Sequence, residues 1–135
     1  MMNKIVNELF EDKNIKMIFD EEKGLLFEIY STGMALGYAE FKNNKWYARK
    51  PRIDKTIKNA EISTFLHGGE KYMTEEQLYD FMLEARTDKC KEFRRWVTKE
   101  LLPKLRQQGY YIDEDINKEQ LDKLQNQVDK LKKRK

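Results

Sequence analysis

The sequence predicts an α+β fold: a small antiparallel sheet or hairpin packed with several short helices, plus a C-terminal helix with coiled-coil character. Three observations carry this. Residues 15–19 (IKMIF) and 25–29 (LLFEI) are short, apolar and β-competent, and the polar loop between them, Asp20 to Gly24, reads as a hairpin turn. From Thr74 onward, apolar residues recur at helical spacing. After Tyr111 the composition changes, and residues 113–135 contain no aromatic residue, Gly or Pro.

The stretch before the hairpin, MMNKIVNELFEDKN, is amphipathic and acidic and does not have the make-up of a secretory signal. Beyond the hairpin, Ser31 is placed to cap a short helix through Leu36, and Gly37 supplies a left-handed stop. Residues 39–69 carry the weakest pattern. Within them Pro51 opens a helix to about Ala60, which sets Arg52, Lys55 and Lys58 on one solvent-facing side. Leu66-His67-Gly68-Gly69 is a loop or hairpin turn leading into a brief strand at Lys71–Met73. Thr74 with Gln77 makes a capping box, and Leu78, Phe81, Met82 and Ala85 follow on one helical face. Thr87 or Asp88 caps a second helix whose buried stripe is Cys90, Phe93, Val97 and Leu101. Pro103 disfavours an uninterrupted helix, so Pro103–Gln108 reads as a separate last turn closed by Gly109.

Residues 1–111 therefore form an α+β domain. Residues 112–135 form a charged C-terminal helix, either an oligomerisation segment or a linker cut short. In it Leu121, Leu124, Val128 and Leu131 are spaced 3, 4 and 3 apart, an a/d seam of two heptads that would make a homo-oligomer.

Composition narrows the function. At 135 residues, 39% hydrophobic and 12% aromatic, the chain can build one core. No apolar run approaches the roughly 18 residues a membrane span needs. A single cysteine, Cys90, allows no internal disulfide and points to a reducing, cytoplasmic setting. The net charge of +3 hides strong segregation. Residues 42–58 carry seven basic groups and one acidic, and residues 89–106 carry seven and two. Residues 1–41 and 59–88 are acidic, at net −4 and −5. Such segregation fits a polyanion-binding face or a partner-protein surface.

Catalytic chemistry is thin. One histidine, His67, beside Gly68-Gly69 reads as a turn residue, and Cys90 on its apolar stripe reads as a buried structural thiol. One His and one Cys make no soft metal site. Asp113-x-Asp115-x-Asn117 starts like a calcium loop but has Lys118 at position six and Leu124 at position twelve, where Gly and Glu are needed. No phosphate-binding loop or nucleophile elbow is present. The expectation is a non-enzyme with no cofactor.

The first basic block, Lys42 to Lys58, mixes cations with Asn43, Asn44, Trp46 and Tyr47. Cations neutralise phosphates, while Asn and Arg reach base edges. The plainer reading is a solvated face with its aromatics folded inward. The second block offers Lys91, Arg94, Arg95 and Lys99, a set that also serves as the wet side of an amphipathic helix. The candidate DNA-binding residues are Lys45, Tyr47, Arg49, Lys50, Arg52, Lys55, Lys58, Arg94, Arg95 and Lys99.

The segment from Tyr72 to Tyr111 holds a dense string: Thr74-Glu75-Glu76-Gln77-Leu78-Tyr79, then Ala85-Arg86, then Lys91-Glu92-Phe93-Arg94-Arg95-Trp96-Val97-Thr98, then Leu102-Pro103-Lys104-Leu105-Arg106-Gln107-Gln108-Gly109-Tyr110. It resembles the BRO N-terminal domain of baculovirus repeated-ORF proteins and phage antirepressors. Leu36-Gly37-Tyr38 is similar to the family's Leu-Gly-Tyr. Ser31-Thr32 stands where the family has Asp-Val, and the family's Ala-Ile…His-Val stretch is not evident in 39–69. The resemblance implies a compact α+β module of viral or prophage regulatory proteins, associated with DNA binding and antirepression, in the host cytoplasm when phage-encoded. Two functions follow: an antirepressor-type regulator that binds double-stranded DNA through 42–58 and 89–106, or a protein–protein module that sequesters a phage repressor without touching DNA. In the second case the acidic blocks, or Trp46 or Tyr47, form the contact.

Overall fold

The computed structural model describes residues 4–110, and the Leu121, Leu124, Val128 and Leu131 seam lies outside them. The chain opens with three strands, β1 (Lys4–Phe10), β2 (Lys13–Asp20) and β3 (Gly24–Glu28), and a short helix α1 (Ile29–Ala35). A hairpin β4 (Ala39–Lys42) and β5 (Lys45–Ala48) precedes helix α2 (Lys50–Asn59). A second pair, β6 (Phe65–His67) and β7 (Glu70–Thr74), leads into α3 (Glu75–Ala85). Last come α4 (Lys89–Trp96), a π-helical turn (Val97–Leu101) and α5 (Leu102–Gln107). The main sheet is antiparallel in the order β1-β2-β3-β7-β6, and β4-β5 forms a separate two-stranded ribbon. The α+β expectation holds.

The inner face of the sheet supplies Val6, Phe10, Ile15, Met17, Leu25, Phe27 and Met73, which share a core with Leu78, Phe81 and Met82 of α3 and with Phe93, Val97, Leu101 and Leu105 of the last helices. Phe10 meets Phe93 and Trp96 edge-on, at centroid distances of 5.1 and 5.5 Å. Lys89 pairs with Glu11 and Lys104 with Glu8, each at 2.9 Å, so α4 and α5 are pinned to β1 and its turn. The outer face buries a smaller cluster of Ile18, Leu26 and Tyr72, flanked by the Lys16–Glu70 ion pair.

Thr74 caps α3 as the sequence predicts. Its hydroxyl accepts from Gln77 N at 3.1 Å, and the Gln77 side chain accepts from Thr74 N at 2.9 Å. Three expectations are corrected. The cap of α1 is Glu28, whose carboxylate accepts from the amides of Tyr30 and Ser31 at 2.8 and 2.7 Å. Ser31 lies inside the helix, and its hydroxyl instead accepts from Lys16 N of β2 at 3.1 Å. At α4, Asp88 holds the cap position without a side-chain bond, and Thr87 donates instead to the Leu36 carbonyl. Pro103 lies in the first turn of the last helix, α5, as the sequence predicts, but no break precedes it. Its missing N–H is absorbed by the π turn before it, where Leu102 N reaches back to Val97 O, so helix runs through to Gln107. The N-terminal stretch, read only as amphipathic, is strand β1.

Candidate nucleic-acid interface

The ribbon turns at Asn43-Asn44. Both residues have positive φ (52° and 60°), the arrangement of a two-residue hairpin turn, which Asn tolerates better than most residues. Phe41 pairs across from Trp46 and Lys42 from Lys45, so strand alternation gives the ribbon two unlike faces. One carries Phe41 and Trp46, tilted together at 5.1 Å, with Lys13 of the β1–β2 hairpin 5.4 Å from the indole. The other carries Tyr47 with Lys42 and Lys45 at 5.3 and 6.0 Å from its ring, and Glu40 pairs with Lys42 at 3.2 Å. Phe41 is 57% exposed and Trp46 46%. The aromatics are therefore not folded inward.

The base of the ribbon is fixed by backbone. Arg49 N donates to Tyr38 O at 2.9 Å, and Tyr38 N donates to Gly33 O at 3.0 Å. Pro51 in the first turn of α2 gives up no intrahelical bond. Ile53 and Thr56 turn into the body, while Lys50, Arg52, Lys55 and Lys58 stay exposed. Lys50 lies over the Tyr30 ring at 5.1 Å and Arg52 over Tyr38 at 5.5 Å. The Tyr30 hydroxyl donates to Asp54 at 2.7 Å, and burial, helped by that carboxylate, pushes its pKa up to about 12. It therefore stays a donor at any physiological pH and ties α1 to α2. Gly33 makes the approach possible, because a Cβ there would sit 2.6 Å from Ile53 Cγ1.

Thus Lys45, Tyr47, Arg49, Lys50, Arg52, Lys55 and Lys58 occupy one continuous hairpin–helix unit and are exposed. None of the six cations is in an ion pair among the described residues. The second basic segment hangs on another part of the scaffold, the β1 side of the sheet. Arg95 and Lys99 are exposed there with Lys91. Arg94 is half-buried, and its charge acts on the Tyr79 hydroxyl, which donates to Glu75 at 3.0 Å. Sequence reasoning placed Lys42 in the basic block and Trp46 among the exposed aromatics, but not the pairing of Phe41 with Trp46. The Asn43-Asn44 turn signal was enough to place all three on a ribbon.

Among the described residues no group of three His, Cys, Asp or Glu side chains is arranged to hold a metal, and no helix is long and apolar enough to cross a membrane. Burial pushes the Cys90 thiol pKa up, away from the thiolate.

The family described as the BRO family, N-terminal domain, matches residues 14–103, from the second strand to the proline of the last helix. The chain belongs to the BRO family. No curated protein and no solved structure matches it. The BRO domain is associated with phage and viral regulatory DNA-binding proteins. The matched span runs through residues 39–69, so the ribbon and α2 lie within it.

Proposed function

We propose that this BRO-family chain is an antirepressor-type regulator of a phage or prophage. It acts in the host cytoplasm by binding double-stranded DNA and carries out no catalysis. The observation that supports this best is the hairpin–helix unit from Lys42 to Lys58, which holds seven basic side chains, all exposed, of which only Lys42 is ion-paired. Phosphate neutralisation by such a unit releases counterions and supplies most of the affinity, while Asn43, Asn44 and Arg49 are suited to base edges. Arg95 and Lys99 add phosphate contacts on longer DNA.

The test is Arg49→Glu, Lys50→Glu and Arg52→Glu in one chain, titrated against a labelled duplex across a salt series. Affinity should fall more than about a hundredfold, and the slope of log affinity on log salt should shrink by about three, one per lost phosphate contact. An unchanged melting temperature certifies the fold. Retained duplex affinity would mean that the site lies elsewhere.

A second reading is supported by the Phe41–Trp46 face, an exposed aromatic pair of the kind that anchors protein interfaces. In that reading the chain sequesters a repressor and leaves DNA alone. Salt-insensitive capture of the repressor, with no shift of any duplex, would favour it.

A further inference from the structure

The five-stranded sheet has two edges, and they differ. β6 is three residues long, which offers little to pair with. β1 is seven residues long, pairs among the described residues only with β2, and lies before the span matched by the family. Its outer side chains, Ile5 and Leu9, are each 64% exposed. Open edge strands usually carry a charge, a proline or a bulge on that face, whereas here the outer face reads Ile5, Asn7, Leu9.

The pattern is its own complement. Antiparallel pairing of two β1 strands about Asn7 sets Ile5 of each copy opposite Leu9 of the other, and Asn7 opposite Asn7. The charge order agrees, since the strand begins with Lys4 and carries Glu8 towards its other end. On the inner face, Lys4 of one copy then lies diagonally across from Glu8 of the second, a carboxylate that also pairs with Lys104 of its own chain. A pairing of this kind is isologous and closes at two subunits.

We propose that β1 is a homodimerisation edge, joining two copies into one continuous ten-stranded sheet, and that its occupant is a second copy of this chain. The residues of this edge are distinct from those of the proposed DNA-binding unit.

The test uses the full 135-residue chain and measures mass by sedimentation equilibrium. One variant carries Ile5→Lys with Leu9→Lys, and another carries Ile5→Glu with Leu9→Glu. These side chains are exposed in the single copy, so each variant should keep the parent's far-UV circular dichroism and a cooperative melt, lowered only by the stability that dimerisation adds. The parent should be a dimer at tens of micromolar. Each variant alone should be a monomer, because like charges face each other twice. An equimolar mixture should return to dimer, because each Lys then faces a Glu. In addition, Asn7→Cys should oxidise to a covalent dimer, since directly opposed strand residues have Cα atoms about 4.5–5.5 Å apart, within disulfide reach. A monomeric parent, charged variants as dimeric as the parent, growth into polymers, or a mixture that stays monomeric would each overturn the proposal.

Discussion

Two hairpins in this molecule have the same connectivity and opposite circumstances. β2–β3 sits inside the five-stranded sheet and buries Ile15, Met17, Ile18, Leu25, Leu26 and Phe27. β4–β5 stands apart, with Ala39 and Ala48 half-buried at its base and every residue from Glu40 to Tyr47 exposed. The core fixes the first, because a one-residue slip would turn its apolar side chains to solvent. The second has no such constraint. Its turn, an aromatic pair and a backbone bond at its base hold it in place. Side chains that the core does not use are free for a partner, and here they are cations, amides and aromatics.

The largest expected effect breaks this comparison on stability. Phe27→Ala removes a fully buried ring from β3 and should cost about 3–5 kcal/mol in urea unfolding. Trp46→Ala removes a larger ring from the ribbon yet should cost under about 1 kcal/mol, since much of that surface is already wet. DNA or partner binding should respond in the opposite order. Similar stability losses for the two variants would show that the ribbon belongs to the core.

The same contrast explains what could be read in advance. Local chemistry was legible: the Thr74–Gln77 box, Pro51 at the start of α2, the left-handed Gly37 and the β2–β3 hairpin depend on residues close in sequence. β1 was not, because Ile5, Val6, Asn7, Glu8, Leu9 and Phe10 put an apolar and a polar residue on each face, and period-two alternation disappears. The ribbon was missed because Lys42–Tyr47 read as a block of charge instead of two strands about Asn43-Asn44. Within the candidate site, the cations of 42–58 were found from composition alone. That Arg94 is half-buried and acts on the Tyr79 hydroxyl was not legible, because that neighbourhood is set by tertiary packing. The π turn was signalled by Pro103, but a break and a bulge have the same sequence cue.

A middle-sized effect sharpens the comparison at the ribbon's base. Gly33 lets α1 approach α2 so closely that an added Cβ meets Ile53 at 2.6 Å, and Ile53 is fully buried. Gly33→Ala should cost about 1–3 kcal/mol through overpacking. Because Tyr38, bonded to Gly33 O, carries the backbone contact to Arg49, DNA affinity should fall with it. Gly24→Ala is a control in the other hairpin: it strains a positive φ of 78° but meets no neighbour, so it should leave DNA affinity unchanged. Equal losses of affinity for the two would separate the ribbon's position from the α1–α2 contact.

The smallest effect distinguishes the two turns by pH. The ribbon turn rests on backbone conformation at Asn43 and Asn44, whereas the β2–β3 turn rests on a carboxylate. Asp20 Oδ1 accepts from the amides of Lys23 and Glu22 at 2.9 and 2.8 Å, and these bonds, that of Lys23 foremost, hold its pKa below the ordinary carboxylate value. A lowered pKa means that the unfolded chain takes up the proton more readily than the folded one. The stabilisation is therefore present above the usual carboxylate pKa of about 3.9 and lost as pH falls through the folded value. Asp20→Asn keeps an oxygen acceptor but removes the charge, and should cost about 0.5–1.5 kcal/mol at neutral pH. The difference in melting temperature between parent and variant should be full near pH 6 and shrink towards zero near pH 2, since every other carboxylate is common to both chains. A difference that stays constant with pH would mean that the turn is held by its backbone alone, as in the ribbon.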